Sequence, residues 1–183
     1  MPIEAEDPFA SPTLMEQRSQ GAITTTTHPY LPSELNAATQ DIRDFCRWHI
    51  APRKQLTHHQ RGPFVEHVWL PAMQIQSIDE VTADGTVWTE DQVAAIEFNP
   101  DTGWTSLCGR YVTVKYTAGF EEVPANIETL TLELAATALG TSLGYAREQA
   151  GSVSVTFARA GGGIDDGSAP ARRLAAYQIG RLP

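Results

Sequence analysis

The chain has 183 residues, 42% of them hydrophobic and 19% charged, which suits one packed domain, or one domain with a substantial tail, and excludes a wholly disordered chain. Acids outnumber bases 22 to 13, for a net charge of −9. That speaks against a general nucleic-acid-coating protein, which needs a basic face to displace phosphate counterions, and no apolar run approaches the ~20 residues of a membrane span.

Residues 1–30 read as an extended N-terminal tail. Pro2, Pro8, Pro12 and Pro29, the run Thr24–Thr27 and scattered single hydrophobes fill it. Such a segment buries too little apolar area to offset its ordering entropy, so neighbouring chains are expected to hold it. Its acidic opening, MPIEAEDPFA, lacks the basic-then-apolar order of a signal peptide.

Residues 31–50, LPSELNAATQDIRDFCRWHI, predict an amphipathic helix. Leu31, Leu35, Ala38, Ile42, Phe45 and His49 recur at helical spacing, with Pro32 suited to the first turn and Pro52 as the stop. Residues 63–117 predict a small antiparallel sheet. PFVEHVWLP reads as a short strand, and MQIQSIDEV as a second. Ala83-Asp84-Gly85-Thr86 signals a hairpin, because Asp and Gly tolerate positive φ. Asn99-Pro100-Asp101-Thr102-Gly103 signals another turn, and Tyr111–Tyr116 alternates with Val112, Val114 and Tyr116 on one face.

Residues 123–144 predict a second long helix, with Pro124 in its first turn and Glu121 and Glu122 at its positive end. One apolar stripe runs through Ile127, Leu130, Leu134 and Ala138, a second through Leu132, Ala136, Leu139 and Leu143. Two stripes call for cover over much of the circumference, by the chain itself or by a neighbouring copy. Residues 152–157 alternate as a short strand, residues 160–170 read as a flexible hinge, and residues 170–180 as a short terminal helix. The fold class is therefore α+β: a small helix bundle of two long helices and a short C-terminal helix, with an inserted antiparallel β-sheet. The core spans residues 31–160, and residues 161–183 form a hinged C-terminal docking segment.

Charge is unevenly spread. Residues 63–120 hold eight acids and two bases, and residues 121–170 seven acids and two bases. Residues 171–183 hold Arg172, Arg173 and Arg181 and no acid, a basic tip suited to an acidic partner.

The motifs that carry chemistry are missing. His58, His59 and His67 invite a metal reading, but adjacent histidines on a strand point apart and no Cys or carboxylate stands at ligand spacing. Cys46 and Cys108 are too few for a disulfide framework and fit a reduced compartment. Gly161-Gly162-Gly163-Ile164-Asp165-Asp166-Gly167 is no phosphate loop, because no Lys-Ser/Thr follows and the two acids repel phosphate. No nucleophile elbow, zinc-helix or CxxC motif occurs. The four tryptophans, Trp48, Trp69, Trp88 and Trp104, read as core or subunit-interface packing. We expect no enzyme, no metal and no cofactor.

Four segments in order carry a resemblance. Leu31-Pro32-Ser33-Glu34-Leu35 runs into Ile42-Arg43-Asp44-Phe45-Cys46-Arg47-Trp48-His49-Ile50. Val112–Ile127 gives a strand, the turn Tyr116-Thr117-Ala118-Gly119-Phe120, two acids and a Val-Pro before the helix. Gly144–Val155 and the ending Tyr177-Gln178-Ile179-Gly180-Arg181-Leu182-Pro183 follow. This order resembles the head-to-tail adaptor (connector) proteins of long-tailed phages, of the actinobacterial siphophage type. The resemblance implies a non-enzymatic virion protein, made in the host bacterial cytoplasm and placed in the neck. It implies a ring, typically dodecameric, that binds the portal protein above and a stopper or tail-terminator protein below. DNA would pass through its channel without specific binding. The C-terminal segment would dock on the portal through Arg172, Arg173 and Arg181, with Leu174, Tyr177 and Leu182 as apolar anchors. Leu132, Leu139, Trp69 and Trp88 are the expected subunit-interface residues. Two alternatives are a phage nucleic-acid-handling or regulatory module and a small hydrolase.

Overall fold

A computed structural model describes residues 7–140, 147–150, 153–156 and 164–180. The chain divides into two compact units. A helical unit comprises residues 1–45 and 124–176, and a sheet unit comprises residues 46–123 and 177–183. The class is α+β, with helices and a four-stranded antiparallel sheet. The helix count only roughly fits the expected bundle, since several of the five α-helices among the described residues are short.

The helical unit begins where the sequence predicted a tail. Residues Pro12–Arg18 form helix α1, capped by the Ser11 hydroxyl on the Leu14 N–H, with Pro12 in the first turn. Phe9, Ala10 and Met15 are buried. The Phe9 N–H donates to Thr39 Oγ1 at 3.0 Å, and the Arg43 guanidinium lies 4.8 Å from the Phe9 ring centroid. This segment is ordered by its own chain. The proline-rich composition hid it, because its few apolar residues gain their partners from distant elements.

Helix α2 spans Leu31–Cys46 and helix α4 spans Ala125–Gly140. Leu31, Leu35, Ala38 and Ile42 are buried, as their spacing predicts. Helix α2 stops at Cys46 rather than near Pro52, because Arg47 turns into the left-handed region at φ +66. One cluster joins the elements of this unit: Ala10 and Met15, Leu31, Leu35 and Ala38, and Leu132 and Ala135 of α4. Arg18 adds a 2.6 Å bond from Nη2 to Thr129 Oγ1. Of the two expected stripes of α4, Ile127, Leu130 and Leu132 are buried and Leu134, Ala136 and Leu139 pack on this cluster, while Ala138 is exposed and Leu143 lies outside the described residues. Strands β5 (Arg147–Ala150) and β6 (Val153–Thr156) pair as an antiparallel hairpin, of which only the second was foreseen. Helix α5 spans Ala169–Leu174 and continues as a 3₁₀ turn to Tyr177.

The sheet unit has strands in the order β1-β4-β2-β3. Strand β1 spans Lys54–Val65, β2 Ile75–Ala83, β3 Thr86–Val87 and β4 Gly109–Ala118. Strand β1 starts nine residues before the predicted one and ends just inside it, so most of PFVEHVWLP is not strand. Its half-buried positions Leu56, His58 and Gln60 alternate with exposed Thr57, His59 and Arg61, a mixed pattern that reads as no strand at all on hydropathy alone. Central β4 behaves as predicted, with Val112, Val114 and Tyr116 buried and Tyr111 exposed. The β2–β3 hairpin turns through Asp84 at φ +49 and Gly85 at φ +82, the primed geometry expected. Helix α3 (Glu90–Ala94) follows, closed by a capping box between Thr89 and Gln92.

Candidate functional site

The C-terminal segment is the site that sequence reasoning favoured. Ser168 caps helix α5 by accepting the Ala171 N–H at 3.2 Å, and Pro170 sits in the first turn. Ala171 and Leu174 turn inward and are buried. Leu174 is fully enclosed by its own chain, so it is not the free apolar anchor expected; a two-turn helix keeps its place only by such burial. Arg173 pairs with Glu133 of α4 and reaches the Asn126 carbonyl at 3.4 Å. Arg172 folds back on the Gly167 carbonyl at 3.1 Å and stays exposed, which leaves its charge available. Arg181 and Leu182 lie outside the described residues.

From Tyr177 onward the chain belongs to the sheet unit. There the Trp48 indole N–H donates to the Tyr177 carbonyl at 2.6 Å. The Phe120 ring lies edge-on to Tyr177 at 5.9 Å and tilted to Trp48 at 6.1 Å. The Ile179 N–H donates to the Cys46 carbonyl at 3.2 Å, and Ile179 is buried. Cys46 is buried as well, which pushes its thiol up to about 12 and leaves it unreactive. Tyr177 and Ile179 therefore occupy an aromatic seat built by residues 46–50 and 119–120. Of the expected hinged docking segment, Ala171, Leu174 and Ile179 are buried by their own chain, and residues 161–163 and 181–183 lie outside the described residues. Trp48 and Phe120 went unrecognised as that seat because they lie far from Tyr177 in sequence.

The expected interface residues fall in different surroundings. Leu132 is enclosed in the helical cluster, which leaves it no surface for a neighbouring copy. Leu139 is partly buried against the same cluster. Trp69 bridges Trp104 in antiparallel register, and the Trp104 ring packs on His67 at 5.3 Å. Trp88 is half-buried, its N–H bonded to the Val81 carbonyl.

The outer face of the sheet is polar and cross-linked. Asp79 accepts from Ser77 Oγ at 2.6 Å, Thr117 Oγ1 at 2.8 Å and Gln55 Nε2 at 2.9 Å, tying β2, β4 and β1 together. Partial burial pushes its carboxyl up, but these three donors outweigh it and hold the group below the usual carboxylate range. Lys115 pairs with Glu80 at 3.0 Å. His58 and His59 stand on opposite faces of β1. Burial, and next the neighbouring His59, lower the His58 pKa, while His59 bonds Thr113 Oγ1 at 3.1 Å. Among the described residues no three His, Cys, Asp or Glu side chains converge on a metal-sized site.

Where β1 and β4 lose register, exposed Arg61 of β1 stands opposite exposed Tyr111 of β4 on one face, while Arg110, next to Tyr111 along β4, belongs to the other face. Alternation on β4 already set Tyr111 apart from the buried face, but only the pairing of β1 with β4 places Arg61 opposite it. No protein-family model and no curated protein sequence matches this chain. Among the described residues no helix is long and apolar enough to cross a membrane.

Proposed function

We propose that this protein is a structural head-to-tail adaptor of a tailed phage, forming a ring below the portal that extends the DNA channel and joins head to tail. One observation carries the reading. A helical unit is interrupted in sequence by an antiparallel sheet unit, residues 46–123, and the chain ends in a short arginine-bearing helix. That order matches the one the resemblance implies. The acidic balance supports it physically. Glu66, Asp84, Glu90, Asp91 and Glu97 are exposed on the sheet unit and have no ion pair among the described residues. A ring wall carrying such charge repels DNA and lets it slide. In this reading the portal and a stopper or tail terminator are partners, copies of the chain form the ring, and the protein resides in the virion neck.

Of the expected portal contacts, Arg172 is the one best placed to serve, being exposed and bound through its side chain only to the Gly167 carbonyl. The test is capture of the full-length protein by the portal assembly of the same phage. A chain ending at Gly167 would lose buried Leu174 and Ile179 and so its fold, whereas Arg172→Glu changes charge without touching the core. Capture of the wild type with weakened capture of Arg172→Glu is expected. Equal capture of both would remove the C-terminal docking role, and no capture of either would remove the adaptor reading.

A further inference from the structure

Three short segments of the sheet unit pair outside the named strands. Trp69 stands opposite Trp104, and Phe98 opposite Thr105. The Ser106 N–H donates to the Glu97 carbonyl at 2.8 Å, and Ser106 Oγ accepts the Glu97 N–H at 3.0 Å. Burial alternates along each segment. Val68 and Leu70, Thr105 and Leu107, and Ile96 turn inward and are buried. The positions between them turn the other way, so His67, Trp69, Trp104, Ser106 and Glu97 share the outer face.

Two properties of this face stand out. The first is a continuous aromatic surface. Trp69 and Trp104 are a cross-strand pair, and the His67 ring lies 5.3 Å from that of Trp104. Both tryptophans are only half-buried, and neither indole N–H has a hydrogen-bond partner among the described residues, unlike that of Trp48. The second is charge. Glu97 is exposed and has no ion pair among the described residues. Residues 66–71 and 96–108 hold Glu66, Glu97 and Asp101 and neither Lys nor Arg.

We infer that the Trp69–Trp104–Glu97 face binds an arginine-bearing segment of a basic partner protein. A guanidinium is flat, weakly hydrated and always charged. It stacks on an indole, whose π-electrons attract it, while its N–H groups reach a carboxylate such as that of Glu97. The free indole N–H groups are donors for the main-chain carbonyls on either side of the arginine. A second copy suits the face less well, because chains of net charge −9 repel each other. Nucleic acid suits it less well for the same reason, since the carboxylates that attract a guanidinium turn phosphate away. The inference goes beyond the adaptor reading and stands without it. It gives Trp69, expected to meet a neighbouring copy, a partner of opposite charge.

The test is a titration of the full-length chain with a capped peptide of alternating arginine and glycine, read at the four indole N–H signals by nuclear magnetic resonance. The signals of Trp69 and Trp104 should move, and that of Trp48, whose N–H is already bonded, should stay. Trp104→Leu keeps apolar bulk and removes the π face, so it should weaken binding at least about threefold. Glu97→Gln alters an exposed side chain only and should weaken it about twofold to fivefold. Circular dichroism confirms that both variants fold. The same peptide with glutamine in place of arginine should leave all four signals unmoved. No movement at Trp69 and Trp104 with the arginine peptide overturns the inference, as does equal movement with the glutamine peptide or equal affinity in both variants. Movement of the same two signals with oligothymidylate and not with the arginine peptide overturns it and reassigns the face to nucleic acid. Self-association that Trp104→Leu abolishes, with peptide binding absent, overturns it and makes the face a contact between copies. Portal capture reads separately, because the adaptor reading does not use this face.

Discussion

The indole Nε1 of Trp48 donates a 2.6 Å hydrogen bond to the main-chain carbonyl of Tyr177, 129 residues further along the chain. With the Ile179 N–H on the Cys46 carbonyl, it fastens the last described residues to the loop that follows helix α2. Trp48→Phe keeps a ring against Phe120 and deletes the donor. We expect it to cost about 1–2 kcal/mol, from the lost bond and the smaller ring. Amide exchange at Ile179 should quicken more than at Val114 in the central strand. Unchanged exchange at Ile179 would mean that the bond does not hold the segment.

Phe9 tests whether the N-terminal residues belong to the fold. Its side chain is 2% exposed and sits beneath the Arg43 guanidinium. Phe9→Ala should lower stability by about 3–5 kcal/mol, the cost of an emptied aromatic site. A dispensable tail would lose nothing measurable. Urea unfolding of the full chain separates the two outcomes.

Legibility followed the range of the forces involved. Helix α2, helix α4, strand β4 and the Asp84-Gly85 turn rest on periodicity and turn chemistry within a few residues, and the sequence displays both. Strand β1 does not display them. It is an edge strand whose inward positions are Leu56, His58 and Gln60, so no hydropathic alternation marks it. Helix α1 buries a single residue of its own, Met15, and depends on α2 and α4 for the rest. The site shows the same divide. Arginines in the terminal helix were visible as a charge run, but the burial of Leu174 and the pairing of Arg173 with Glu133 are tertiary facts. The pairing of Arg61 with Tyr111 needs the β1–β4 register, which no local pattern encodes.

Two groups make stability depend on pH in the same direction. The Asp79 carboxyl lies below its ordinary 3.8 in the fold, so the folded chain binds fewer protons there than the unfolded one. Its contribution is complete above 3.8 and is lost as pH falls through the lowered folded value. His58 lies below its ordinary 6.5, so its contribution is complete above 6.5 and fades as pH falls toward its folded value. Denaturant midpoints should therefore decline on acidification in two stages. His58→Leu should flatten the first, which begins as pH falls below 6.5, and Asp79→Asn the second, which begins as pH falls below 3.8. A wild-type profile flat across both windows would contradict the Asp79 cluster and the burial of His58.

Gly103 offers the sharpest single-residue test of the sheet unit. It closes the Asn99–Gly103 turn at φ +76, its N–H bonded to the Asn99 carbonyl and its carbonyl accepting the Leu70 N–H at 2.8 Å. A Cβ there would collide with the Leu70 carbonyl oxygen and lie 3.2 Å from the Ala72 carbonyl oxygen. Both obstacles are backbone, so no side-chain rotation relieves them, and the left-handed φ adds its own strain. Gly103→Ala should thus cost about 3–5 kcal/mol and free the Leu70 amide to exchange. Gly140, at the end of α4, has open space where a Cβ would project. Gly140→Ala is expected to change stability by no more than about 1 kcal/mol, and in the favourable direction, because alanine suits a helix better. Thermal melts of the two variants side by side decide whether the turn is packed as tightly as the Gly103–Leu70 approach requires.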